Sequence, residues 1–190
     1  MTKLNLKRIE EFFKIKLTQN LVSLGVDVSM YSTGIALLRT TDKYLIIEKL
    51  DVIVVPKSKN FLQSADSFLE QVDSIKRDII SKHNIDRVII EDCFFGNNIL
   101  TLKSLARFGI LVYERFRGCS NECHFELPTS ARRMINFKKT NKKAKGHALK
   151  KEIIHYINTG LQLKLKINDA DKADALALAL TGLIYEQNSD

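Results

Sequence analysis

Near the end of the apolar run Leu21–Val28 stands one carboxylate, Asp27, which limits what this chain can fold into more than any other residue. An unpaired charge costs several kcal/mol to bury, so a hydrophobic strand carries one only where a cation meets it or where the residue opens a turn. Both readings fit the local sequence. Ser29, Ser32 and Gly34 follow, then the apolar Ile35–Leu38, so residues 21–38 read as two β-strands joined by a tight turn with Asp27 at its entrance.

Tyr44–Val55 reads as a third strand, and three consecutive strands on short connections make an antiparallel meander. Phe61, Ala65, Phe68, Leu69, Val72, Ile75 and Ile79 then recur at three- and four-residue steps, which predicts a helix over 60–83. That helix leads to a short buried strand, Ile85–Glu91, and a helical crossover sets such a strand parallel to an earlier one. Glu91 ends it in acid. Beside the Asp27 strand, ~5 Å away, it would bring a second carboxylate to the same edge of the sheet.

A second helix, 98–116, carries Leu100, Leu102, Leu105, Phe108, Leu111, Val112 and Phe116, too many for one stripe. It needs a second surface, and a twofold-related copy of itself is the simplest. A fifth strand over Glu122–Leu127, a short helix over 129–137, a loop through Lys145 and a helix over 146–158 follow. The chain closes with an Ala- and Leu-rich helix over 168–185. On it, Asp171 and Asp174 share one face, about 60° apart, with Asp169 in front of them as a natural N-cap. Carboxylates in a first turn also suit the helix dipole, so the pair is informative only alongside the other acids.

At 190 residues and 45% apolar content the chain suits one domain, placed over 21–187, and no Gly/Ser-rich linker or internal repeat divides it. Its longest apolar runs fall far short of the ~20 residues of a membrane span, which predicts a soluble protein. Leu4, Ile9, Phe12, Phe13 and Ile15 suggest that residues 1–20 form a short amphipathic helix docked on that domain, not a secretory signal. Cys93, Cys119 and Cys123 are an odd count that suits a reducing compartment, and Cys119, Cys123 and His124 lack the fourth partner a structural zinc needs.

Charge is localised. Of the net +8, nine basic residues and no acidic ones fall between Leu127 and Lys151: Arg132, Arg133, Lys138, Lys139, Lys142, Lys143, Lys145, Lys150 and Lys151. The remainder of the chain is nearly neutral, so the patch is the footprint of a polyanion site. Four carboxylates meeting at one sheet edge would repel each other unless divalent cations held them, and oxygen-only ligands select Mg²⁺ or Mn²⁺. Two such ions suit in-line displacement at a phosphodiester.

The order of elements and acids resembles the ribonuclease H-like superfamily and, within it, the RuvC family of Holliday junction resolvases. The resemblance covers roughly Leu24 to Tyr185. Gly25-Val-Asp27-x6-Gly34 is similar to that family's first-strand motif, with Val28-Ser29 where the family has Pro-Gly. Ile90-Glu91 followed by Phe94 is similar to the second acidic motif, Gly146-His-Ala-Leu-Lys150 to the basic helix start, and Asp171-Lys-Ala-Asp174-Ala-Leu-Ala to the C-terminal motif.

The resemblance implies an α/β, ribonuclease H-like fold: a five-stranded mixed sheet, three antiparallel strands then parallel additions, flanked by helices. It implies catalytic metal ligands at Asp27, Glu91, Asp171 and Asp174, two Mg²⁺ (or Mn²⁺) ions per site, and Lys150 near the scissile phosphate. Arg132, Arg133 and the lysines of the patch would hold DNA, and Phe94 or its neighbour Phe95 would stack on unpaired bases. Helix 98–116 would be the homodimer contact, with no membrane and no small-molecule cofactor involved. The expected activity is symmetric cleavage of four-way DNA junctions leaving 5′-phosphates and 3′-hydroxyls, in the cytoplasm or nucleoid of a bacterium or a virus-infected host, an organelle remaining open. Two alternatives share these features: another branched or flap nuclease of the same fold, and a junction-binding protein without catalysis. An actin-like phosphotransferase, suggested by Asp27-x6-Gly34, needs two such lobes where this chain has the length for one.

Overall fold

The computed structural model describes residues 2–29, 31–56, 61–93, 99–141 and 143–184. The element order is β1 (Thr2–Asn5), α1 (Leu6–Phe13), β2 (Val22–Asp27), β3 (Ser32–Thr40), β4 (Tyr44–Val54), α2 (Phe61–Ile80), β5 (Ile85–Glu91), α3 (Ile99–Phe116), β6 (Ser120–Glu126), α4 (Pro128–Met134), α5 (Gly146–Leu161) and α6 (Ala170–Thr181). The strands form one mixed sheet in the order β1-β4-β3-β2-β5-β6. β2, β3 and β4 pair antiparallel as a meander, and β5 and β6 add in parallel on the far side of β2.

The sheet has six strands where five were expected. Thr2–Asn5 runs antiparallel to β4 and pairs with Tyr44–Ile47, so the N-terminal segment begins as an edge strand before it turns helical. Leu4 and Leu6, both buried, follow the two-residue period of a strand, while Leu6, Ile9 and Phe13 are the buried face of the helix. Asn5 ends one element and starts the other: its side-chain Oδ1 accepts from the Arg8 N–H at 3.1 Å, capping α1.

All six residues of β2 are buried, as befits a central strand covered on both faces. Alternation then assigns the faces. Leu24, Val26, Ile35, Leu37, Val88 and Ile90 meet Phe68 and Val72 of α2 and Phe108 and Val112 of α3. Ala36 and Leu38 belong to the opposite layer, with α1, α5 and α6. Ser23, Gly25 and Asp27 also point to that layer by the two-residue period.

Helix α6 lies directly on β2 and β3 because glycines let it. A Cβ at Gly25 would run into the Ala175 carbonyl and the Ala179 amide, and one at Gly34 into the Asp171 carbonyl. Nine of the twelve α6 residues are buried, which makes this Ala- and Leu-rich helix the centre of its layer. Fully burying each of Leu176, Leu178 and Leu180 is worth about 1.5–3 kcal/mol. The helix starts at Ala170, after a 3-10 turn over Ile167–Asp169, not at 168. Asp169 does not cap it through its side chain. Its carboxylate accepts from the Lys166 N–H and the Lys172 ammonium, and the Lys166 bond, followed by Lys172, holds its pKa below the usual range.

Between α4 and α5, Thr140 and Asn141 are tied down. Glu152 on α5 accepts from the Thr140 N–H at 2.9 Å and the Asn141 N–H at 3.2 Å, so the lysine-rich stretch is folded back onto its own helix.

Candidate active site

The site grows out of strand register. β2 and β5 run in parallel with Val26 opposite Ile90, which places Asp27 and Glu91 side by side at the same sheet edge. Opposite Asp27 on its other side is Gly34, and the missing Cβ there admits the first turn of α6, with Asp171. One helical turn later comes Asp174. Sequence positions 27, 91, 171 and 174 thus converge through two strand pairings and one helix packing.

The electrostatics are those of an over-supplied acid cluster. Asp27 is 7% exposed, and burial, then its hydrogen bond with Glu91, then the charges of Glu91, Asp174 and Asp171 push its carboxyl well above the ordinary 3.8. A hydrogen bond between two carboxyl groups requires a shared proton. Burial also raises Glu91, while the bond from Asp27 and the cations Arg132 and Lys150 pull it down.

Asp171 and Asp174 are already engaged. The Ser32 hydroxyl donates to Asp171, whose other oxygen is 3.7 Å from the Lys150 ammonium. Arg132 Nη2 donates to Asp174 Oδ1 at 2.9 Å, both side chains being four-fifths or more buried. Arg132 lies with Glu91 and Asp174 around a cavity of about 10 Å³, and its buried Nε has no partner among the described residues. As the side chains stand, no three acids among the described residues surround one point. The structure brings Asp27 to Glu91 and sets Asp171 and Asp174 within charge range of them, each held by a cation of the chain itself.

The donor chemistry of these four acids, more than their present arrangement, suits a hard divalent cation. The donors are carboxylate oxygens, burial and the neighbouring acids raise the carboxyls of the deepest two, and an Arg and a Lys supply what compensation there is.

Of the basic patch, Arg133, Lys138, Lys139, Lys143, Lys145 and Lys150 are exposed, whereas Arg132 points into the acid cluster. Arg132, Arg133 and Lys139 also line a cavity of about 170 Å³ with Thr129, Phe137 and Leu149, so Arg132 forms the wall between acids and basic surface. Lys142, Phe94 and Phe95 lie outside the described residues.

Two residues of this region were not read from sequence. Ser32, the first residue of β3, meets Asp171, a pairing across 139 residues that no local pattern announces. Glu126 stands in register with Glu91 across β5 and β6 and accepts from the Leu127 N–H at 3.0 Å. Its signal was present: Phe125-Glu126 repeats the apolar-then-acid ending of Ile90-Glu91.

The chain resembles known proteins in the same terms. "Crossover junction endodeoxyribonuclease RuvC" of Prochlorococcus marinus is 26% identical over 170 residues, covering 87% of this chain and the whole of that protein. Among solved structures, Thermus thermophilus RuvC in complex with a Holliday junction substrate superposes with a TM-score of 0.62 at 15% identity, covering 85% of this chain and 92% of that one. The yeast mitochondrial Holliday junction resolvase superposes with a TM-score of 0.52 at 13% identity, over 90% of this chain and 81% of that one. These structural likenesses are of fold. The family model described as crossover junction endodeoxyribonuclease RuvC matches residues 23–182. With that match over most of its length, and its acids gathered at the β2–β5 edge, the chain belongs to the RuvC family.

Proposed function

We propose that this chain is a divalent-cation-dependent endonuclease that cuts four-way DNA junctions, acting as a homodimer. The observation that carries the reading is the Asp27–Glu91 pair, set side by side by strand register beside Asp171 and Asp174, one wall away from an exposed basic surface.

Asp27, Glu91, Asp171 and Asp174 would hold Mg²⁺, or Mn²⁺, two ions per site. Bound there, the ions supply an activated water and a charge for the leaving oxygen. The chain's own residues do the rest. Lys150, 3.7 Å from Asp171, would contact the scissile phosphate. Arg133, Lys138, Lys139, Lys143 and Lys145 bind flanking phosphates and fix the register of the DNA without reading its sequence. Lys142 is assigned to the DNA by its place in the basic stretch, and Phe94, or its neighbour Phe95, by the family resemblance.

The dimer reading rests on α3. Ile99, Leu100 and Ile110 are 59%, 70% and 52% exposed, and Ile110 borders an apolar depression of about 410 Å³ with Phe61, Ala106 and Leu111. A second α3 would bury these side chains, and two sites related by a twofold axis match the two like strands of a junction. No helix among the described residues is long and apolar enough to cross a membrane.

The experiment is incubation of the purified chain with an end-labelled synthetic four-way junction and with linear duplex of the same sequence, each with Mg²⁺ and with chelator. Paired nicks in like strands of the junction, dependent on Mg²⁺, are expected. Equal cutting of duplex removes the junction reading, and cutting that survives chelation removes the metal reading.

A further inference from the structure

The RuvC match begins at residue 23, so the first twenty-two residues lie outside it. They are nevertheless built into the body. β1 extends the sheet beyond β4, and Ile9 and Phe13 of α1 are 1% and 0% exposed. What α1 touches is informative. Its C-terminal end meets the hinge between α4, which carries Arg132 and Arg133, and the loop that carries Lys138, Lys139, Lys143 and Lys145.

Three sets of contacts make that joint. The Asn136 amide donates to the Phe13 carbonyl at 2.8 Å and to the Lys14 carbonyl at 3.1 Å. Asn136 has a φ of 58°, a left-handed conformation that turns the chain sharply just after α4 and that Asn tolerates better than most residues. Next, the Tyr156 hydroxyl donates to the Ile135 carbonyl at 2.8 Å. Finally, the Tyr156 ring sits 5.2 Å from Phe12, 5.3 Å from Phe13 and 5.4 Å from Phe137, a cluster that clamps the first loop residue after the turn. Phe13 reaches it because residue 160 is glycine: a Cβ there would strike the Phe13 ring.

We propose that the N-terminal segment is a positioning device for DNA binding: through Asn136 and the Phe12–Phe13–Tyr156–Phe137 cluster it sets the aim of Arg133 and of Lys138, Lys139, Lys143 and Lys145. This rests on the junction-binding reading above. The physical reason is entropic. Phosphate contacts from a loop that must be ordered on binding are each weakened by that ordering, and a loop held in place beforehand keeps their full value. Glu152 ties the loop's middle to α5, and the N-terminal segment ties its root.

The variants are Asn136→Gly, which keeps the left-handed turn and deletes both amide bonds, and Tyr156→Phe, which keeps the ring and deletes the bond to Ile135. They are combined in the full chain, since truncating α1 would open the core. Three quantities are measured against wild type: junction affinity in Ca²⁺ across a salt series, the cleavage rate at saturating junction in Mg²⁺, and hydrogen exchange at the Thr140 and Asn141 amides. The double variant is expected to bind the junction about 5- to 20-fold more weakly with a shallower salt slope, to exchange both amides faster, and to cleave at saturation within about 2-fold of wild type. A purely structural role lowers Tm and leaves affinity and salt slope unchanged, and that result overturns the proposal. So does slowed cleavage at saturation with unchanged affinity. A wild-type chain that does not bind the junction defeats the reading beneath it, which distinguishes that failure from a variant that binds as tightly as wild type.

Discussion

Replacing Asp27 with Asn is expected to make the cation-free protein more stable and the enzyme inactive. Asp27 is 7% exposed, and its hydrogen bond to Glu91 requires a proton that an ordinary aspartate gives up at 3.8. A carboxyl raised in this way costs the folded state free energy at pH values above its ordinary range. Asn removes that cost, since its amide donates to the Glu91 carboxylate without a titrating proton. The burial of Glu91 remains, so the expected gain is that of relieving one poorly compensated buried polar group, ~2 kcal/mol. For a chain of this size that is about 4–8 °C in Tm.

The sign of the pH dependence is fixed by the direction of the shift. A carboxyl raised in the folded state contributes stability that is fully present below its unfolded value and is lost as pH rises through its folded one. Wild type in chelator therefore loses stability from about pH 4 toward neutrality, and Asp27→Asn loses less. Asp78 works the other way without interfering. Lys82 and Lys49 hold it at about 2, so its contribution is present above 3.8 and lost only as pH falls toward 2.

Thermal melts in chelator at several pH values, repeated with excess Mg²⁺, supply the test. Wild type should gain about 2.7 kcal/mol at a hundred times its dissociation constant, and the variant much less, so the ranking reverses with the ion. Cleavage by the variant should fall by at least about 100-fold. An Asp27→Asn variant no more stable than wild type at pH 7.5 in chelator, or equally favoured at pH 4.5, refutes the buried-repulsion account.

Arg132→Gln removes a cation 2.9 Å from Asp174, and calorimetric titration with Mn²⁺ should show affinity raised about tenfold, or ~1.4 kcal/mol. Gly34→Ala drives a Cβ into the Asp171 carbonyl and should cost about 1–3 kcal/mol in denaturant titration, with cleavage reduced further than stability alone explains. Ile110→Asp, on the exposed side of α3, should leave a folded monomer by light scattering that nicks a junction once without its paired cut. If about half of the nine basic residues meet phosphate, the log–log salt slope of junction binding is on the order of −4 per subunit, and a slope near zero would make the patch mere solvated surface.

The parts of the fold carried by hydrophobic period were legible in sequence: the meander, the crossover to Ile85–Glu91 and the last helix with its two aspartates. Asp27 and Glu91 were legible too, because a carboxylate ending an apolar strand conflicts with its surroundings, whereas Asp171 and Asp174, in a helix's first turn, stood out only alongside them and through the family motif. What escaped was set by packing between distant segments. β1 is four residues long, and its Leu4 sits in a stretch where Ile9 and Phe13 already satisfy a helical period, so the strand was absorbed into the helix. Arg132 counted as one more basic residue of a patch, since nothing local separates a guanidinium aimed at DNA from one aimed at Asp174. The loop after α4 looked open because the carboxylate that ties it, Glu152, lies outside the basic stretch on the next helix.

The four acids are held by two different kinds of constraint, and this predicts which substitutions they tolerate. Asp27 and Glu91 are fixed by backbone pairing, where Val26 faces Ile90, and a strand cannot slip by one residue without turning its whole buried face outward. Asp171 and Asp174 are fixed only by how closely α6 approaches β2 and β3, a distance set by Gly25 and Gly34. A change on the α2–α3 face of the sheet therefore lowers stability and leaves the acids in register. A change on the α6 face moves one pair relative to the other. Phe68→Leu and Ala175→Val both alter fully buried residues, on opposite faces of the sheet. Phe68→Leu should cost stability at nearly constant cleavage per folded molecule, and Ala175→Val should weaken Mg²⁺ binding beyond any loss of stability. Equal effects from the two would mean that α6 adjusts freely and that sheet register alone organises the site.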